Sequence, residues 1–142
     1  MNLLAQVCSV HLNVEQSKLW DVLTLPEWTE QYMYNCRVIT NLEPGAKIEW
    51  KGVFQGVETF LTGEVLSVEP KHKLVYTTID PNYSDATNPA NYIHVTYELR
   101  PQNGGVLFTV LNETYDGSEE RLAHIKQGWE EVVFPKLKAL LI

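Results

Sequence analysis

Basic residues are scarce in this chain. Eleven Lys and Arg stand against 18 Asp and Glu in 142 residues, for a net charge of −7. A phosphate backbone is repelled by that average, and no Lys/Arg cluster longer than a pair offsets it, so nucleic acid is not an expected partner. Docking to an anionic membrane is disfavoured for the same reason. Long apolar runs are missing as well, and nothing approaches the roughly 18 residues of a membrane span. The opening MNLLAQVCSVHLN has neither a basic n-region nor a long apolar core, so no secretion signal is expected and the chain reads as cytoplasmic. Cysteine is limited to Cys8 and Cys36, without CxxC spacing. Both sit in apolar, strand-like contexts and are expected to be buried free thiols. His11, His72, His94 and His124 show no metal-ligand spacing. No serine sits in a nucleophile-elbow context, and no Gly-rich loop opens a helix after a strand. No metal, cofactor or catalytic residue is assigned.

Rings are plentiful: aromatics make up 11% of the chain, with four Trp and seven Tyr. Large rings bury well, and they also line ligand sites. At 142 residues the chain fits one domain, taken here as residues 1–142.

The order of elements is legible from periodicity. Residues 3–11 read as a first strand. Asn13, with Gln16 in the capping-box position, predicts a helix carrying Val14, Leu19, Trp20 and Leu23 on one face. Thr24-Leu-Pro26 ends it, and 26–33 reads as a second short helix with Pro at its first turn. From 34 to 114 nearly every signal is strand, broken by turn residues at Glu43-Pro-Gly45, Gln55-Gly56, Pro70-Lys71 and Pro101–Gly105. Short connections imply an antiparallel meander. The polar stretch 80–91, with two prolines and no periodicity, is a long loop of the kind that is often functional. Residues 117–141 give the clearest helix, with Asp116 as its cap and Leu122, Ile125, Trp129, Val132, Val133, Leu137 and Leu140 as its stripe. Pro135 inside that pattern predicts a kink near Glu131–Pro135.

One sheet and one long helix must bury their apolar faces against each other. Twist curves the sheet, and a helix laid across a curved sheet stands off in places. The gap is filled by side chains or left as a pocket. Strand parity puts Ile48, Trp50 and Phe54 on the helix side, with Leu74, Tyr76 and Thr78, then Ile93, Val95, Tyr97 and Leu99, then Val106, Phe108, Val110 and Asn112.

Several short marks occur in order along the chain. They are Trp20, Pro26-Glu-Trp28, Glu43-Pro-Gly45, Gly63-Glu-Val65, Val68-Glu-Pro70, Leu74-Val-Tyr76, Val95–Leu99, Gly104-Gly105 and His124–Trp129 with Leu137. In these the chain resembles the branch of the START/birch-pollen-allergen superfamily (SRPBCC, helix-grip fold) that is typified by activators of the heat-shock-protein-90 ATPase. The resemblance implies an α+β helix-grip fold: a curved antiparallel sheet of six to seven strands around a long C-terminal helix, with two short helices after the first strand. It implies an internal cavity for hydrophobic small molecules, and no shared catalytic residue. One departure is Thr78, where many relatives carry a Trp after the Leu-Val-Tyr strand, so the cavity wall should differ there.

The expected function is binding of a hydrophobic or aromatic small molecule. Alternatives are a cyclase, dehydratase or hydrolase on an aromatic or polyketide-like compound, with His124, Tyr76 and Tyr97 as its only candidate groups, or a co-chaperone-like interaction module. A homodimer and a chaperone contact are further partner options. Candidate ligand-binding residues are the large or polar ones on the inward face (Trp50, Phe54, Tyr76, Tyr97, Phe108 and Asn112), with Trp28 and Tyr32 at one end of a mouth and His124 and Trp129 on the helix. Gly128 is unfavourable by about 1 kcal/mol in a helix interior relative to Ala. A close approach of helix to strand would explain it, as would room for a ligand.

Overall fold

The computed structural model describes residues 3–141. The elements run β1 (Leu4–Leu12), α1 (Gln16–Thr24), α2 (Pro26–Thr29), β2 (Arg37–Ile39), β3 (Lys47–Phe54), β4 (Val57–Glu69), β5 (Lys73–Thr78), β6 (Ile93–Gln102) and β7 (Gly105–Thr114). A C-terminal rod of 22 residues follows: α3 (Glu119–Gly128), a π-helical turn (Trp129–Val133) and α4 (Phe134–Leu140). The seven strands form one antiparallel sheet in the order β1-β7-β6-β5-β4-β3-β2. Only the β1–β7 contact joins strands distant in sequence, as a meander closed by its first strand requires.

Alternation decides which face is buried. On β7, Val106, Phe108, Val110, Asn112 and Thr114 are buried, and their neighbours are half-exposed. On β6, Ile93, Val95, Tyr97 and Leu99 repeat the pattern. These residues form the concave face, and the rod packs on it through Leu122, Trp129, Val133, Phe134 and Leu137, all buried. The α3 backbone comes close to β1 and β7, so it lies toward one flank of the concave face. Cys8 on β1 and Cys36 just before β2 are both free and buried. Burial, and then the Glu130 carboxylate, push the Cys8 thiol up to about 11.

The kink takes a specific form. Pro135 offers no N–H, and the turn before it widens so that the Phe134 N–H reaches back to the Trp129 carbonyl, five residues away. A π-turn is a known way for a helix to absorb such a break. Two caps differ from the sequence reading. Helix α1 begins after Glu15 without a side-chain cap, because the Gln16 amide is used elsewhere: it donates to the Lys71 carbonyl at 2.6 Å and meets His72 Nδ1 at 3.0 Å, tying α1 to the β4–β5 turn. At α3 the cap is Ser118, whose hydroxyl accepts from the Arg121 N–H at 3.1 Å. Asp116 sits two residues earlier, accepting from the Ser118 N–H at 2.9 Å and pairing with Arg121 at 2.6 Å.

The 80–91 loop folds over the convex side. It borders a recess there with Lys47, Thr62, Glu64, Thr77 and His94, all on the outward parity of their strands. Asx turns at Asp80, Asp85 and Asn88 and the Tyr92 hydroxyl bond to Ala86 organise it internally. The loop therefore lies on the opposite side of the sheet from the rod. No helix among the described residues is long and apolar enough to cross a membrane.

Candidate functional site on the concave face

The inward rings pack against one another. Trp50 meets Tyr76 at 6.1 Å between ring centroids, Tyr76 meets Tyr97 at 5.4 Å, and Tyr97 meets Phe108 at 5.3 Å. Trp129 touches Tyr97 at 5.7 Å and Phe108 at 6.1 Å, and Phe134 closes the group at 6.0 Å from Phe108. Most of these pairs are edge-to-face, the arrangement that ring quadrupoles favour. Of the candidate residues, Trp50, Tyr76, Tyr97, Phe108 and Trp129 thus form a continuous packed column in the middle of the domain. Inside it the Tyr76 and Tyr97 hydroxyls share a 2.8 Å hydrogen bond. Burial raises the pKa of both phenols, and of fully enclosed Tyr32, so all three stay protonated at neutral pH.

The other candidates lie around the column. Tyr32 donates to the Val22 carbonyl at 2.9 Å and fastens the segment after α2 to α1. Trp28 is half-buried under the Lys18 ammonium, 4.0 Å from the ring centre. Tyr32 belongs to the same buried core as the column, and Trp28 packs against that core. His124 points to solvent beside Glu120, Arg121 and Gln127. Five residues from Trp129 is about 140° around a helix, so its side chain leaves the sheet-facing stripe.

Asn112 is different. It is buried on the concave face, directly across from Gln6 on β1. The Gln6 Oε1 atom is buried with no hydrogen-bond partner, and so is Thr78 Oγ1 on β5. These polar groups share the end of the sheet where β1 begins and β7 stops. The inward neighbours there are of modest size: Ile93, Val95 and Thr114. Ile125 of α3, half-buried, packs onto the same core. Gln6 was not among the expected site residues, although it shares parity with Cys8 and Val10. Thr78 was expected on the inward face by parity and as a departure from the relatives, but not as a binding residue.

At the open edge, between the rod and the end of β3, Tyr34 leans across. Its ring meets Phe54 edge-on at 5.4 Å, and its hydroxyl oxygen lies 2.8 Å from where a Cβ on Gly128 would sit. Gly128 is small because Tyr34 occupies that space, so the close approach expected at this glycine comes from a turn residue. The Lys136 ammonium lies 5.7 Å from the Phe54 ring centre. No cluster of three His, Cys, Asp or Glu suited to a metal occurs among the described residues.

A seven-stranded antiparallel sheet gripping a long C-terminal helix, with two short helices after β1, is the helix-grip fold. Residues 13–142 match the family "Activator of Hsp90 ATPase homolog 1-like protein". The chain belongs to that family. Among proteins of curated function none matches it. It is similar to the solution structure of ChR145 from Cytophaga hutchinsonii, at 25% identity and a TM-score of 0.81, covering 99% of this chain and 96% of that one. CalU16 from Micromonospora echinospora shares the fold at 18% identity and a TM-score of 0.73, over 96% of this chain and 75% of that one. Ara h 8.0201 does so at 12% identity and a TM-score of 0.75, over 99% and 98%.

Proposed function

We propose that this chain binds an apolar or aromatic small molecule on the concave face beside α3, with Gln6, Asn112 and Thr78 as its polar contacts. The carrying observation is the pair of buried, partnerless atoms, Gln6 Oε1 and Thr78 Oγ1. An unpaired buried polar group costs about 1–3 kcal/mol, and folded interiors retain few of them. Two on one apolar face, flanking buried Asn112, are what a molecule with an oily body and a hydrogen-bonding group would satisfy. The packed ring column then serves as the floor of the site and not as its empty interior.

Turnover is the weaker reading. A general base must lie within reach of the proton it takes. The buried polar residues are threonines and one asparagine, and the tyrosines of the column are held protonated. A docking role is weaker too, because the exposed apolar side chains are dispersed, with Leu3 before β1, Val7 on it, Val53 and Val57 at the β3–β4 hairpin and Leu66 on β4. Such scattered residues are ordinary surface.

The test separates stability from binding. Gln6→Leu and Thr78→Val each remove a partnerless polar atom, so each is expected to leave stability unchanged or raise it by about 1 kcal/mol. The double variant should bind 2-naphthol at least tenfold more weakly than the native chain does, while naphthalene binding changes little. Loss of stability with unchanged naphthol affinity would show the two groups to be structural and would end this reading.

A further inference from the structure

Tyr34 and Asn35 both adopt left-handed backbone conformations, with φ of 51° and 61°. Non-glycine residues pay of order 1 kcal/mol each to do so, and two in succession need to be held. The holding contacts fall on Asn35 and its neighbour. The Asn35 amide donates to the Val53 carbonyl at 3.0 Å. The Asn35–Cys36 backbone presses on β3 at Gly52, where any Cβ would collide with the Asn35 carbonyl. The turn is therefore clamped to β3, and it projects the Tyr34 side chain across the gap to the rod.

Nothing comparable clamps that side chain. The hydroxyls of Tyr32, Tyr76, Tyr97 and Tyr92 all have protein partners, whereas none is found for Tyr34 among the described residues. Its ring is half-buried and rests edge-on against Phe54, itself half-buried. On the far side its hydroxyl reaches Gly128, the last residue before the π-turn, while the ring packs on the margin of the core. With no hydrogen bond at its tip and no Cβ on Gly128 opposite, rotation of the side chain about χ1 breaks no polar contact of the sheet or the rod. Trp129, next along the rod, belongs with the ring column to the core that Tyr34 borders.

We infer that Tyr34 is a gate: its ring closes the entrance between Gly128 and Phe54 and so sets how fast ligands enter and leave the concave face. This rests on the binding reading above. Gly128 is the gate's seat, and Phe54 is its stop. Rapid mixing with the neutral naphthalene dye 6-propionyl-2-dimethylaminonaphthalene tests it. Tyr34→Ala should raise the association and dissociation rates together, each about tenfold, with the dissociation constant held within about threefold. Gly128→Ala puts a methyl 2.8 Å from the hydroxyl oxygen, too close for the ring to stay seated, and should speed both rates in the same direction. Tyr34→Phe should behave as the native chain, since the hydroxyl has no partner to lose. Rates within twofold of native in both Tyr34→Ala and Gly128→Ala, with the dye still bound, would overturn the gate and leave the site standing. Failure of the native chain to bind the dye, 2-naphthol or naphthalene would overturn the site and the gate with it.

Discussion

Phe108→Ala is expected to destabilise the protein by about 3–5 kcal/mol. Phe108 has no solvent exposure and stands at the hub of the column, within 5.3–6.1 Å of Tyr97, Trp129 and Phe134. Truncation removes the transfer energy of a whole ring and leaves a cavity that Val110 and Leu99 cannot fill without leaving the sheet's register. The edge-to-face pairs add about 0.5–1.5 kcal/mol each beyond buried area, part of which is lost as well. For a domain of this size the loss corresponds to roughly 10–15 °C in Tm. Val57→Ala, on an exposed hairpin strand, should change stability by no more than about 0.5 kcal/mol. Thermal melts of the two variants against the native chain check both. A Phe108→Ala loss below about 1 kcal/mol would mean that the rings line open space, as the sequence alone allowed, and do not form a packed column.

Gly63→Ala should be about as damaging, through a different cause. A Cβ at Gly63 would run into the carbonyl oxygen of Thr77 on β5. The obstacle is backbone, so no rotamer change relieves it. The two strands are locked around the spot by the Thr62–Ile79 bridge on one side and the Val65–Tyr76 pairing on the other, next to a β-bulge. The Thr77 hydroxyl also accepts from the Glu64 N–H at 3.0 Å, and that bond would be disturbed. Overpacking commonly costs about 1–3 kcal/mol, and the lost hydrogen bond adds about 1 kcal/mol. A fall of about 3 kcal/mol in unfolding free energy is expected, read by urea titration. Gly45→Ala is the contrast, because no atom lies within 4 Å of a Cβ there. Only its φ of 87° penalises a side chain.

Much of the fold was legible because one face of the sheet is buried. A period of two then fixes every strand's orientation, and Trp50, Tyr76, Tyr97 and Phe108 fell on the inward side as their alternation demanded. Spacings of three and four revealed the rod, and Pro135 marked where it would distort. What those rings do was not legible. Packed column or open wall depends on how far the rod stands from the sheet, a long-range distance that no local pattern encodes. The caps misled for a related reason: Gln16 is drawn to Lys71 and His72, far away in sequence.

The same limit applies at the site. Gln6 was readable as inward from its parity with Cys8 and Val10, but nothing in the sequence told that its carbonyl oxygen would lack a partner. Tyr34 was hidden more deeply. A Tyr-Asn pair carries weak turn chemistry, and its left-handed geometry is set by Gly52 pressing from β3. His124 drew notice as the rod's only histidine, yet its angle from Trp129 sends it to solvent.

Binding of a small molecule on the concave face among Gln6, Thr78 and Asn112, as proposed, can be tested in solution. Titration of methyl-labelled native protein with 2-naphthol, followed by NMR, addresses it directly. Saturable shifts are predicted at the methyls of Ile93, Val95 and Ile125, with those of Val7, Val53 and Val57 unmoved. Shifts confined to the exposed methyls, or none at saturating naphthol, would contradict it.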